Sequence, residues 1–273
     1  METYRSLQAR LGTWKARLLV ATFLGLWLLP AFIRSSTEWA ERLSLDAAQM
    51  ALAPFRSPDP RLLMINIDTA TLQAIPHRWP WPRNEYHRLC QQLLSADPRF
   101  LVIDILFQHL EGATASTGDL ALAELFRQTR RVGLISVVEE TPSPEGLQLR
   151  HFRNDKLFRE AATLEGFVWG QYDVDHTIRS VTLADERLGA QSCAVQTARH
   201  LNPQLPLPQI DRQGLIRGQL AFLRGQGGIP SVSALDVLEG RVASETLKDR
   251  VLFLGVTADI LHDWHKSPLG VIS

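Results

Sequence analysis

An α/β fold is the expectation for this chain: a single domain with a mainly parallel sheet flanked by helices, preceded by one transmembrane helix. Three observations carry it. Apolar runs of strand length recur at Leu62 to Ile67, Phe100 to Leu106, Val132 to Val138 and Val251 to Gly255, with helical periodicity between them. The run from Phe100 to Leu106 is apolar throughout except at Asp104, as a parallel strand covered on both faces requires. Ahead of these, Leu18 to Ile33 contains no charged residue, which suits a bilayer.

At 1.5 Å rise per residue that segment spans roughly 24 Å, short of a hydrocarbon core of ~30 Å, so Arg17 or Arg34 must snorkel. Arg5, Arg10, Lys15 and Arg17 precede it and the mixed-sign set Arg34, Glu38, Glu41 and Arg42 follows, which places the N-terminus in the cytoplasm. Residues 1–17 are then cytoplasmic, 18–34 a signal anchor in the inner membrane, 35–60 a membrane-proximal helix and linker, and 61–270 a periplasmic domain. A cleaved signal peptide shares the basic start, but no small-x-small site follows Pro30. A buried core helix is the third reading, disfavoured by Gly25 and Pro30, which membrane helices tolerate better.

Composition narrows the function classes. The 273 residues carry 29 basic and 29 acidic side chains, interspersed and with no net charge, so no basic stripe is offered to nucleic acid. Cys90 and Cys193 have neither metal nor redox spacing; an exported domain can oxidise them to one disulfide, but Cys90 falls on the apolar face of a helix, so two buried thiols are expected.

In chain order, Trp39 to Phe55 reads as a helix with Trp39, Leu43, Ala47, Met50 and Ala51 near one face, stopped by Pro54 and the Pro58 to Pro60 turn. Arg61 to Asp68 is a strand. Trp79-Pro80-Trp81-Pro82 resists helix, because proline fixes φ and lacks an N–H. Asn84 opens a helix to Ala96, Arg99 to Phe107 is the second strand, and Thr117 and Asp119 start a helix through Phe126 that leads into a strand from Val132 to Val138. Glu139 to His151, with Pro142, Pro144 and Gly146, has the composition of a surface loop. Gly166 to Asp173 and Arg179 to Ala184 follow as strands, Ala190 to Leu201 as a helix starting near Ser192, and Leu220 to Arg224 as a short strand. A helix opened by Val232 or Ser233 ends at Gly240, and Arg250 to Gly255 is the last buried strand.

Ligands of a parallel sheet bind at the carboxyl ends of its strands. Asp68, Asp104 and Asp259 each end or follow one, and three carboxylates at one edge can hold a divalent cation, receive an ammonium group or be neutralised by Arg83. The plainer alternative is that each caps the turn or helix that follows. The stiff segment before Arg83 would aim its guanidinium at that edge; alternatively the tryptophans close the core and Arg83 pairs with an acid structurally. Asp173-Val174-Asp175 reads as a hairpin turn before it reads as a cation site. His262, Asp263 and His265 match no zinc spacing, and Gly225-Gln226-Gly227-Gly228 is not a phosphate loop. No motif supplies a catalytic residue or a cofactor.

The ordered set Ile65-Asn66-Ile67-Asp68, Trp79-Pro80-Trp81-Pro82-Arg83, Val102-Ile103-Asp104-Ile105-Leu106-Phe107, Asp119, Asp173-x-Asp175 with Arg179, Ser233-Ala234-Leu235-Asp236-Val237-Leu238, Val251-Leu252-Phe253-Leu254-Gly255, Thr257-Ala258, Asp263 and Pro268-Leu269-Gly270 resembles the second type of CHASE domain from about Arg61 to Gly270. The resemblance implies a bacterial extracytoplasmic α/β sensor associated with cyclases and histidine kinases, preceded by one membrane helix and normally followed by several more and a cytoplasmic output. No such output lies within the 273 residues, so a fragment or a stand-alone sensor is expected. His176 stands where the family pattern usually has glycine, and no glycine precedes Trp79.

These readings predict a membrane-anchored periplasmic sensor, not an enzyme, that binds an unidentified small signal and regulates a cyclase- or kinase-type output. Asp68, Arg83 and Asp104 would form the pocket floor, Trp79 and Trp81 its walls, and Asp259 and Asp263 its rim. The alternatives are an anchored periplasmic hydrolase holding a metal through Asp68, Asp104, Asp259 and His262, and a structural or partner-binding domain. The expected partners are the small-molecule signal, the inner membrane, and either a second copy or a separate signalling protein.

Overall fold

The computed structural model describes residues 22, 37–143, 146–207, 209–211, 214–223, 228–258 and 265–272. Residues 1–52 and 53–273 form two units. In the first, residues 37–52 are helical (α1), as the periodicity from Trp39 predicts. The expected anchor at 18–34 lies outside the described residues except for Thr22; among the described residues no helix is long and apolar enough to cross a membrane.

The second unit begins with a 3-10 turn, Ala53–Phe55, and runs through β1 (Leu62–Ile67), α2 (Thr69–Ala74), α3 (Arg83–Ser95), β2 (Phe100–Ile103), α4 (Thr117–Thr129), β3 (Val132–Ser143), β4 (Gly146–Phe152), α5 (Lys156–Ala161), β5 (Leu164–Val168), β6 (Gly170–Tyr172), β7 (Ile178–Asp185), β8 (Ala190–Gln191), α6 (Cys193–Leu201), β9 (Leu215–Gln219), β10 (Ser231–Ser233), α7 (Ala234–Leu238), α8 (Ser244–Leu247), β11 (Val251–Val256), β12 (His265–Ser267) and β13 (Gly270–Ile272). The main sheet has the order β10-β1-β11-β2-β3, all parallel, with β5 parallel to β3. Val137 pairs with both Phe152 of β4 and Val168 of β5, so those strands lie on opposite edges of β3. Leu134 pairs with both Ile103 of β2 and Glu165 of β5. The antiparallel strand β4 therefore takes up the edge of β3 where β2 leaves off.

The two faces of this sheet are covered unequally. On one, Leu63, Ile65 and Ile67 of β1 and Leu252 and Leu254 of β11 meet Leu89 and Leu93 of α3, Phe126 of α4, Phe158 of α5, Val237 of α7 and Leu247 of α8. Each such side chain stabilises the fold by roughly 1.5–3 kcal/mol when fully buried. On the other face Phe100, Val102, Ile135 and Val251 pack with Cys193 and Leu201 of α6, the one helix there among the described residues of this unit. Gly166 of β5 permits the close approach of α6: a Cβ there would stand 2.4 Å from Cys193 Cα and 2.5 Å from its N. A smaller antiparallel sheet, β6-β7-β8 with β9 also on β7, joins that side through Val138, Phe167, Trp169 and Leu215.

The α/β expectation holds, with this second sheet as an addition. Glu139 to His151 is corrected from loop to hairpin: β3 and β4 pair from Val137↔Phe152 to Ser143↔Gly146, and Pro142 stands beyond the last pairing with β5 at Val137, on a sheet edge. The short strand expected at Leu220 to Arg224, of which Arg224 lies outside the described residues, is not found over 220–223; a strand lies at Leu215–Gln219, where pairing with β7 supplies what its own polar residues do not signal. The second strand stops at Ile103, four residues early, and the short helices α2, α5 and α8 were not foreseen. Cys90 and Cys193 are free, buried in the clusters on opposite faces of the sheet, and burial raises their thiols to about 12 and about 11.

Candidate functional site

Asp68 and Asp104 do lie at the carboxyl edge. They follow β1 and β2, the two strands that flank β11, and so stand roughly 10 Å apart across one strand. Asp68 caps α2: its carboxylate accepts from the Thr71 amide at 2.8 Å and hydroxyl at 2.6 Å. Burial raises its pKa, but those bonds and one from the Ser233 hydroxyl outweigh it and hold the carboxyl below its ordinary value. Asp104 is exposed, beside Gly255 of β11, and its amide donates to the Leu254 carbonyl at 2.8 Å. Asp259, His262 and Asp263 lie outside the described residues, and among the described residues no three of His, Cys, Asp and Glu are grouped to hold a metal.

Arg83 is paired within the chain. Its ion-pair partner is Asp119, the buried acid in the first turn of α4, with Nε 3.4 Å from Oδ1. Its Nη2 donates to the His109 carbonyl at 2.7 Å, and its guanidinium carbon lies 5.0 Å from the ring centre of Phe107, 5.6 Å from Phe158 and 6.0 Å from Tyr86. An aromatic cage is thus already filled by the chain's own cation, leaving Arg83 13% exposed. The other oxygen of Asp119 accepts from the amides of Ser116 at 2.9 Å and Glu111 at 3.1 Å, while Ser116 returns the α4 capping box. Glu111 in turn accepts from the Arg83 amide at 2.7 Å and so caps α3. Two helix N-termini and three charged side chains compensate one another, with Arg83 Nε and Asp119 Oδ1 facing each other as an ion pair without a hydrogen bond.

Trp79 and Trp81 pack into the same core. Trp81 is buried, Trp79 packs half-buried at 5.2 Å edge-to-face with it, and Tyr86 lies 5.6 Å from Trp81. The Tyr86 hydroxyl accepts from the Trp81 amide, and burial pushes its pKa to about 12. The Asp173-x-Asp175 turn needs no ligand either. Arg179 donates to Asp173 at 2.6 Å and to both oxygens of Asp175 at 3.0 and 2.9 Å, and holds Asp175 well below the ordinary carboxylate range. His176 adopts the left-handed conformation, φ 58°, that a glycine there would favour, so the turn survives the replacement.

No local pattern points to the polar cleft between the two sheets, about 620 Å³ in volume. Ser136 of β3, buried, and His151 of β4 share a 2.9 Å hydrogen bond between Oγ and Nε2. Glu165 of β5 accepts from Arg153 Nε at 2.7 Å and from the Asn154 amide and side chain at 3.0 and 2.9 Å. Asp185 of β7, also buried, is held by Arg187 at 2.6 Å, and Gln196 of α6 donates to the Glu165 carbonyl at 2.7 Å. Burial first, and Arg153 second, push the His151 imidazole below its ordinary pKa, with Glu165 opposing. Leu188, Leu207, Ile210 and Ile216 complete the lining. These residues come from six elements and three loops, which local pattern cannot bring together.

No curated protein and no solved structure matches the chain. The family model of the CHASE2 domain matches residues 18–273, nearly the whole length, in agreement with the motif order noted above. This chain belongs to the CHASE2 family of extracellular sensory domains.

Proposed function

We propose that the protein is a membrane-anchored periplasmic sensor in which residues 18–34 form the anchor and the cleft between the sheets receives the small signal. The observation that carries the site is the density of buried polar groups there: Ser136, Asp185 and the Glu165 carboxylate are withdrawn from water and hydrogen-bonded around an open volume of about 620 Å³. The lining draws on β3, β4 and β5 of the main sheet and on β7, β8 and β9 of the smaller one. A ligand that prefers one spacing of the two sheets shifts the balance between arrangements, and the shift passes to a cytoplasmic cyclase- or kinase-type output.

The test is thermal unfolding of the full chain against a panel of amino acids, sugars, nucleotides and cell-wall fragments. A ligand at a hundredfold excess over its dissociation constant stabilises by ~2.7 kcal/mol. Ser136→Ala and His151→Gln should each remove most of the shift, while Arg83→Lys should lower the baseline and leave the shift. A ligand whose shift survives both cleft substitutions would place the sensory site elsewhere.

A further inference from the structure

A second cavity, about 600 Å³, opens at the amino edge of the main sheet on the thinly covered face. Its floor is Leu62 of β1 with Val251 and Phe253 of β11; Ala198, Leu201 and Leu205 form the wall contributed by α6 and the loop after it. The cause is topological. Helices α2 to α5, α7 and α8 all lie against the other face, and α6, seated over β3 and β5 by Gly166, buries Val251 but leaves Leu62 of β1 and Phe253 of β11 partly uncovered by the described residues of the second unit. Leu62 and Phe253 are consequently only half-buried.

The mouth of this slot is charged. Arg61 is spent on Asp59, to which its Nε and Nη2 donate at 2.9 and 2.6 Å. Arg99, exposed at the same mouth, has no ion-pair partner among the described residues. An apolar slot with one uncompensated positive charge at its entrance is complementary to an amphiphile with one apolar tail and one negative charge. The volume falls within the ~300–1,000 Å³ of small-molecule sites.

We propose that this slot binds a fatty acid, its acyl chain lying between α6 and the β1–β11 floor and its carboxylate on Arg99. The site is separate from the signal cleft, since the two linings share no residue. They do share a wall: α6 turns Gln196 to the cleft and Ala198 and Leu201 to the slot, so occupancy of one is felt at the other.

The test uses the full chain in membrane vesicles, a diazirine-bearing lauric acid as photoprobe, and mapping of labelled peptides by mass spectrometry. Label should concentrate in residues 194–205 and 251–253 and be displaced by excess laurate. Ala198→Trp, a half-buried position whose enlarged side chain fills the slot, should remove more than nine-tenths of that label. Arg99→Gln, at the exposed mouth, should weaken displacement by laurate about tenfold and leave displacement by dodecanol unchanged; this variant keeps the test standing if Ala198→Trp fails to fold. Label that persists in a folded Ala198→Trp protein, or laurate displacement indifferent to Arg99→Gln, overturns the proposal. So does an unlabelled wild type whose Ala198→Cys variant forms a disulfide-linked dimer, which would assign the slot to a second copy.

Discussion

Arg83 occupies the first position of α3, where the positive end of the helix dipole opposes a cation. The chain accommodates it with Glu111 on the helix amide and Asp119 beside the guanidinium. Asp119→Ala would leave Arg83 buried and unpaired, and removing one partner of a buried pair costs ~3–5 kcal/mol. Urea denaturation should show an unfolding free energy lowered by that amount, and Arg83→Lys should not match wild type, because a single ammonium cannot keep the Asp119 pair, the bond to the His109 carbonyl and the contact with Phe107 at once. A stability loss below ~1 kcal/mol for Asp119→Ala would mean that Arg83 swings into solvent and is available to ligand after all. Residue chemistry was legible for Arg83 only as two alternatives, because its partner stands on another helix. For Asp173, Asp175 and Arg179 the turn reading was sufficient, since all three contacts are local.

Elements were most legible where periodicity is long. The helix expected over Asn84 to Ala96 is found at Arg83–Ser95, and the strand expected over Arg250 to Gly255 at Val251–Val256. Short elements gave no such period, and the end of β3 with β4, Glu139 to His151, looked like a loop because prolines and a glycine outweigh the alternation there. The seating of α6 is likewise invisible locally. Gly166→Ala would bring a Cβ within 2.4–2.8 Å of the Ser192–Cys193 backbone, and the neighbour is main chain that cannot swing aside. Such overpacking costs about 1–3 kcal/mol. Thermal unfolding should show it, with faster hydrogen exchange in α6 than in α3; uniform exchange would mean that β5 and α6 separate as a unit instead.

At the scale of the whole molecule, stability depends on pH through groups that burial or an ion pair shifts from their ordinary values. His151 binds a proton less readily folded than unfolded, so its contribution is fully present above about pH 6.5 and is lost as pH falls below that value. Melting temperature should therefore decline from pH 7 to 5, and His151→Gln should flatten that part of the profile. A profile unchanged by the substitution would show that Glu165 offsets the burial of the imidazole. A second, steeper loss is due below about pH 4, where Asp68, Asp97, Asp175 and Asp185, all held below their ordinary values, take up protons.

The family, the alternation of strand and helix, and the presence of Asp68 and Asp104 at one sheet edge were determined by the sequence by itself, because each rests on local periodicity or on the order of motifs along the chain. The partner of Arg83, the second sheet, the thinly covered face of the main sheet and the polar cleft were decided only by the tertiary structure. Each of these is a meeting of residues far apart in the chain, and which apolar face covers which is settled by the summed burial of the whole core, to which no single segment holds the key.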